Sequence, residues 1–138
     1  MIERTLLIIK PDAVKRNLIG DILHRMEANG YRITDIGMVR LSRDRAEIFY
    51  NEHKGKLFYE PLIDFMTEAP CVPVILEGEG AISGLRELIG ATDPAVALPG
   101  TIRKDFGENG RRNAVHASDS KETAEKEIAF FFDSKPQG

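Results

Sequence analysis

Only one cysteine occurs among the 138 residues, Cys71. It cannot form an internal disulfide, and its apolar neighbours read it as a small core residue in a reducing compartment. No stretch approaches the ~18 apolar residues that a membrane helix needs. No basic-then-apolar leader follows Met1 either, so the expectation is a cytoplasmic protein without a membrane partner. Net charge is only −3. Bulk charge therefore offers nucleic acid nothing, and any phosphate binding must use local basic groups. Repeats and low-complexity segments are absent. So are the common phosphate loops: no G-x-x-x-x-G-K-[ST] occurs, and Gly78-x-Gly80-x-x-x-Gly84 is one residue too long for G-x-G-x-x-G. Ser83 stands where the third glycine belongs, and Glu77 and Glu79 would repel a pyrophosphate. Phosphoryl chemistry here would need another route.

What is present describes one globular domain over 1–138, with 42% hydrophobic and 30% charged residues. Thr5–Ile9 is a continuous apolar run, which suits a strand buried on both faces, and it stops at Lys10-Pro11-Asp12. Leu18–Asn29 has an amphipathic helical period and Gly30 to end it. Tyr31–Leu41 reads as a strand with a bulge near Asp35. Helices follow from Ser42 to about Asn51 and over roughly Glu60–Glu68, with His53 in a turn between them and given no function. Cys71–Leu76 is a strand, Pro73 placing it near a strand start or an irregular edge. Glu77–Gly80 then turns into a helix over Ala81–Ile89. From Ala91 to about Arg112 no period appears, only Pro94, Pro99, Gly100, Gly107 and Gly110. A loop that long in a compact domain is usually functional or disordered. The guanidiniums of Arg86 and Arg103 with the Thr92 hydroxyl suit phosphate oxygens, but by themselves two arginines there fit solvated surface residues at least as well. The tail after Phe132 should fray.

Arg111–Glu127 carries the chemistry. Asn113–Ala117 reads as a short buried strand, and Lys121–Phe132 as a helix whose apolar face holds Ala124, Ile128, Phe131 and Phe132. Asp119 and Glu122 approximate a capping box at its start. Glu127 falls on or beside the apolar face, where a carboxylate is destabilising unless something bonds it. His116 and Ser118 are the nearest candidates in sequence. An imidazole, a hydroxyl and a half-buried carboxylate form the set that activates a nucleophile. They equally fit a structural histidine near a helix start and a capping carboxylate. Spacing alone leaves both readings open.

The run Asn113-Ala114-Val115-His116-Ala117-Ser118-Asp119-Ser120, followed by Ala124-Glu125-Lys126-Glu127-Ile128, resembles the active-site signature of nucleoside diphosphate kinases. Lys10-Pro11-Asp12-Ala13-Val14 and Pro99-Gly100 match other blocks, and the resemblance extends from Glu3 to Phe132. Ala117 departs from the family's common glycine, as does Arg111 before the Arg-Asn pair. The resemblance implies an α+β, ferredoxin-like βαββαβ core: a four-stranded antiparallel sheet with added helices and a long functional loop. It implies transfer of a terminal phosphoryl group, mainly from ATP, to a nucleoside diphosphate through Nδ1 of His116. Glu127, directly or through Ser118, would orient the ring. Lys10 would contact phosphates and sugar, Arg86, Thr92 and Arg103 the phosphates, and Asn113 the sugar. Tyr50 would stand near the phosphates, and Phe58 with Leu62 would stack on the base, though Tyr59 is a second candidate for that ring. Arg112 is expected to be a structural neighbour. Mg²⁺ is the implied cofactor, without protein metal ligands, and a tetramer or hexamer built from dimers the implied assembly. The alternative is a ferredoxin-like module that binds a nucleotide without chemistry.

Overall fold

The computed structural model describes residues 1–132, and the tail expected to fray lies outside them. Its first strand, β1 (Ile2–Ile9), is the axis of the molecule. Leu6, Leu7, Ile8 and Ile9 are all fully buried, because β1 pairs with strands on both edges and helices cover both faces. The chain continues through α1 (Pro11–Lys15), α2 (Ile19–Ala28) and β2 (Arg32–Ile36). Then come α3 (Arg43–Phe49), α4 (Tyr59–Thr67), β3 (Val72–Glu79), α5 (Ala81–Ile89), α6 (Ile102–Phe106), β4 (Val115–Ala117) and α7 (Lys121–Phe132). The sheet order is β2-β3-β1-β4 with every pair antiparallel, the expected ferredoxin-like core.

Alternation along the strands sorts the core into two layers. Leu7, Ile9, Val74, Leu76, Val115 and Ala117 meet α2 and α5, whose Ile22, Met26, Leu85 and Ile89 are fully buried. Leu6, Ile8 and Ile75 face the other way, under Ala46 of α3, Ile63 and Met66 of α4, and Ile128 of α7. His116 lies between Val115 and Ala117, so the same alternation turns it toward this second layer. The helix cap expected at Gly30 is present: φ is +90°, Tyr31 N donates to Met26 O and Gly30 N to Glu27 O. The expected bulge is the register shift between Ile33 and Asp35.

Several boundaries differ from expectation for local reasons. Glu77-Gly78-Glu79 is strand, paired with Arg4-Glu3-Ile2, and only Gly80 turns, at φ +56°. Gly78 is needed for space: a Cβ there would stand 2.8 Å from the Tyr31 ring. Pro73 sits at the start of β3, but β3 is an inner strand rather than an edge. Strand β2 ends at Ile36, and pairing resumes only in a single bridge between Val39 and Cys71. Strand β4 begins at Val115 because Ala114 has φ +76°. Helix α7 is capped by Ser120, whose Oγ accepts from Thr123 N, and not by the Asp119–Glu122 pair. The long loop is also less irregular than its composition implied. Pro94–Val96 forms a 3₁₀ turn capped by Asp93, and α6 is capped by the Thr101 hydroxyl.

Candidate active site

β4 and α7 bring the nucleophile set together. Oε1 of Glu127 accepts hydrogen bonds from His116 Nε2 at 2.9 Å and from Ser118 Oγ at 2.6 Å. Ser118 is fully buried, and the Glu127 side chain keeps 17% exposure, so two donors satisfy a carboxylate held mostly away from water. The Phe49 ring packs edge-on against the imidazole with centroids 5.9 Å apart. Sequence reading missed Phe49, since an aromatic at the end of α3 has no local signal for what it touches.

In front of His116 opens a cavity of about 690 Å³. Every residue expected to contact a nucleotide lines it. Arg86 and Arg103 reach it from α5 and α6 by the same device. Arg86 Nη1 donates to Ala117 O at 3.1 Å, and Arg103 Nη2 to Val115 O at 2.9 Å. β4 is an edge strand, so these two carbonyls, one on each side of His116, have no ladder partner to compete. Arg103 is buried, which together with Arg86 nearby lowers its guanidinium to about 10. Lys10, also buried, donates from Nζ to Asn113 Oδ1 at 2.8 Å. Burial, then Arg103, pushes its ammonium down to about 8, with Asp12 opposing. Asn113 in turn donates from Nδ2 to Thr92 O at 2.9 Å and so pins the loop that carries Thr92.

Among the described residues, five buried side-chain atoms find no hydrogen-bond partner in the protein, and three belong to this cavity's lining: Tyr50 Oη, His53 Nδ1 and Arg103 Nε. Burial pushes the Tyr50 phenol upward, leaving it a donor at any working pH. Orphaned polar groups in a cavity wall are waiting for a ligand's acceptors or for water. At the mouth the character changes. Phe58 is 43% exposed and lines the cavity beside Leu62, whereas Tyr59 is buried in the second core layer. Of the two rings, Phe58 is the one that lines the cavity. His53, given no function from sequence, stands between Tyr50 and Phe58, its ring centroid 5.2 Å from that of Phe58. Arg112 is taken up by Glu68 through two bonds of 3.1 Å and lies over the Phe65 ring, a structural role as expected.

Residues 3–136 match the nucleoside diphosphate kinase family. A nucleoside diphosphate kinase of Psychromonas ingrahamii is 59% identical over 131 residues, covering 95% of this chain and 91% of its own. Among solved structures, the nucleoside diphosphate kinase of Aquifex aeolicus superimposes with a TM-score of 0.91 at 43% identity, covering 96% of both chains. That of Halobacterium salinarum, in complex with CDP, gives 0.93 at 40% identity over 97% of this chain and 90% of its own. The protein is thus a phosphotransferase that works on nucleotides, which removes the alternative of a non-catalytic module. It belongs to the nucleoside diphosphate kinase family. Among the described residues, no helix is long and apolar enough to cross a membrane.

Proposed function

We propose that the enzyme works by a ping-pong reaction through a phosphohistidine at His116. The observation that carries this reading is the shared oxygen of Glu127. A carboxylate can only accept, so Nε2 of His116 holds the ring proton and Nδ1 keeps its lone pair. Nδ1 attacks the terminal phosphorus of a nucleoside triphosphate, mainly ATP. The N–P bond forms, the bond to the bridging oxygen breaks, and the diphosphate leaves with the electron pair. Positive charge that builds on the ring is offset by Glu127. A second nucleoside diphosphate then takes the phosphoryl group onto its own terminal oxygen.

Lys10, Arg86 and Arg103 neutralise the transferring group, while Thr92, Tyr50 and Asn113 position it and the sugar. The unpartnered Tyr50 hydroxyl and Arg103 Nε support these assignments. Among the described residues the cavity lining contains no carboxylate, a donor set that suits a polyphosphate and not a bare cation. Mg²⁺ would therefore arrive with the substrate rather than be held by protein carboxylates, and would supply charge neutralisation beside Lys10, Arg86 and Arg103. Phe58 and Leu62 offer a ring face and an apolar wall to any base, and the CDP complex of the Halobacterium salinarum relative supports entry of pyrimidines. Assembly into a tetramer or hexamer of dimers is supported by the open edge of β2 and by exposed Ile36 and Met38. The free buried Cys71 supports a cytoplasmic setting.

Mixing the protein with γ-labelled ATP and no acceptor tests the central step. Stoichiometric label on the protein, lost in acid and kept in alkali, is expected. No covalent label would overturn it.

A further inference from the structure

Asp12 has no part in the scheme above, yet it is 3% exposed and close to its centre. It sits in the first turn of α1, two residues after Lys10. Its Oδ2 accepts from Ala114 N at 3.0 Å. The other backbone group of Ala114 is held by the same segment, since Lys10 N donates to Ala114 O at 2.8 Å. Ala114 needs holding. It is one of two non-glycine residues with positive φ among those described, at +76°, and Val115 N donates across it to Asn113 O at 2.9 Å. A bond from residue i+2 back to i around a positive φ is the rare, strained form of the γ-turn. Such a conformation persists only where surrounding contacts over-determine it. On one side of this turn is Asn113, on the other Val115 and His116. A relaxed Ala114 would change the direction in which the chain enters β4, and with it the placement of both functional side chains.

We propose that Asp12 is a positioning residue: its carboxylate clamps the strained turn at Ala114, which sets Asn113 and His116, and its negative charge acts on the ammonium of Lys10. The second half concerns a crowded cation. Lys10 faces Arg103 from α6, the Arg111 carbonyl and Asn113 from the segment before β4, and the Phe65 ring from α4, over which Arg112 also lies. Arg86 and His116 line the same cavity. Among these neighbours Asp12 is the one carboxylate acting on Lys10, and it works against both the desolvation and the repulsion from Arg103. Burial raises the Asp12 carboxyl, while Lys10 and the Ala114 N–H pull it back down.

The two halves separate in two variants. Asp12→Asn keeps an oxygen for Ala114 N–H but loses the charge. Its kcat at pH 6.5 should stay within about threefold of wild type, as one neutral hydrogen bond replaces a charged one. The alkaline limb of its kcat/KM profile, which reports the free enzyme, should move to lower pH as Lys10 loses the one carboxylate among its described neighbours that opposes its deprotonation. Asp12→Ala removes the clamp, and misplacing His116 by about 1 Å should lower kcat about 10²-fold at every pH. A residue that only stabilised the fold would lower the melting temperature and leave the limb where it was. An Asp12→Asn limb that overlays wild type overturns the charge role, and an Asp12→Ala kcat within about twofold of wild type overturns the clamp. If Asp12→Ala fails to fold, a crystal structure of Asp12→Asn decides the clamp. A turn still bonded to the introduced amide, or one relaxed where that bond is lost, supports it; an unchanged turn without the bond overturns it. The proposal rests on the roles assigned to Lys10 and His116. A parallel Lys10→Met variant keeps the two apart, because full activity there would overturn the reading of Lys10 itself and the charge role with it.

Discussion

At the inner end of the cavity Lys10 and Arg103 are 7% and 6% exposed, and each is tied to oxygens of the protein; at the mouth Phe58 keeps 43% exposure and lies beside the His53 ring. The inner end is rigid and cationic. Two buried cations cost stability, and the edge of β4 and the Asn113 side chain hold them in place. The mouth offers the ring of Phe58 and the apolar side chain of Leu62, and it asks little of the fold. On the function proposed above, binding strength and chemistry reside where all nucleotides are alike, and tolerance resides where they differ.

The hardest blow to the inner end is His116→Ala. Transfer should be lost, while ADP binding stays within about tenfold, roughly 1.4 kcal/mol, since the cations and Phe58 remain. Turnover above a few per cent of wild type, without added imidazole, would end the covalent mechanism. Glu127→Gln comes next. It leaves the nucleophile but replaces the carboxylate that fixes its ring, and steady-state turnover should fall about tenfold to several thousandfold. Unchanged kinetics would reduce Glu127 to a structural carboxylate.

The mouth should respond differently. With ATP fixed as donor, kcat/KM for ADP, GDP, CDP and UDP should lie within about two orders of magnitude, purines ahead through stacking area. Phe58→Ala should weaken all four together by about 1–3 kcal/mol. A preference above about a thousandfold for one base would show that polar groups of the lining read the base edge.

A final effect, on stability and not on turnover, sharpens what the inner end costs the fold. The ammonium of Lys10 is lowered from 10.5 to about 8 in the fold, so between those values the unfolded chain holds more protons. Stability then rises with pH across that window, and the destabilisation from the buried charge is fully present below it. Wild-type stability relative to Lys10→Met, followed by denaturant titration, should climb by a few kcal/mol at most from pH 8 to 10.5. A flat difference would mean that Lys10 is not strained by burial.

Much of this was legible without coordinates, and the misses share a cause. Helical spacing put Glu127 on a half-buried face and left His116 and Ser118 as its partners in sequence, and one oxygen of Glu127 does take both bonds. The burial of β1 on both faces was readable from its apolar run, and the four-stranded antiparallel sheet was implied by the family resemblance. Asp12, His53 and Phe49 escaped because nothing within a few residues of each reveals what it touches. Asp12 bonds a residue far along the chain, and the His53 ring reaches Phe58 only because the turn folds back. Gly78 was read as a turn for the same reason: the Tyr31 ring that demands a missing side chain comes from the far side of the fold.

The central place of β1 has a consequence for how the chain is born. Leu6–Ile9 leave the ribosome before the partners on their two edges, Val72–Glu79 and Val115–Ala117, which follow much later. Until then the most apolar segment of the protein has two open edges and two bare faces, the profile of a segment that chaperones bind and that aggregates when they do not. Closure is nonlocal on both sides, which slows the search. Because the Ile8–His116 pair belongs to the last of these closures, refolding chain should regain helical signal before it regains turnover.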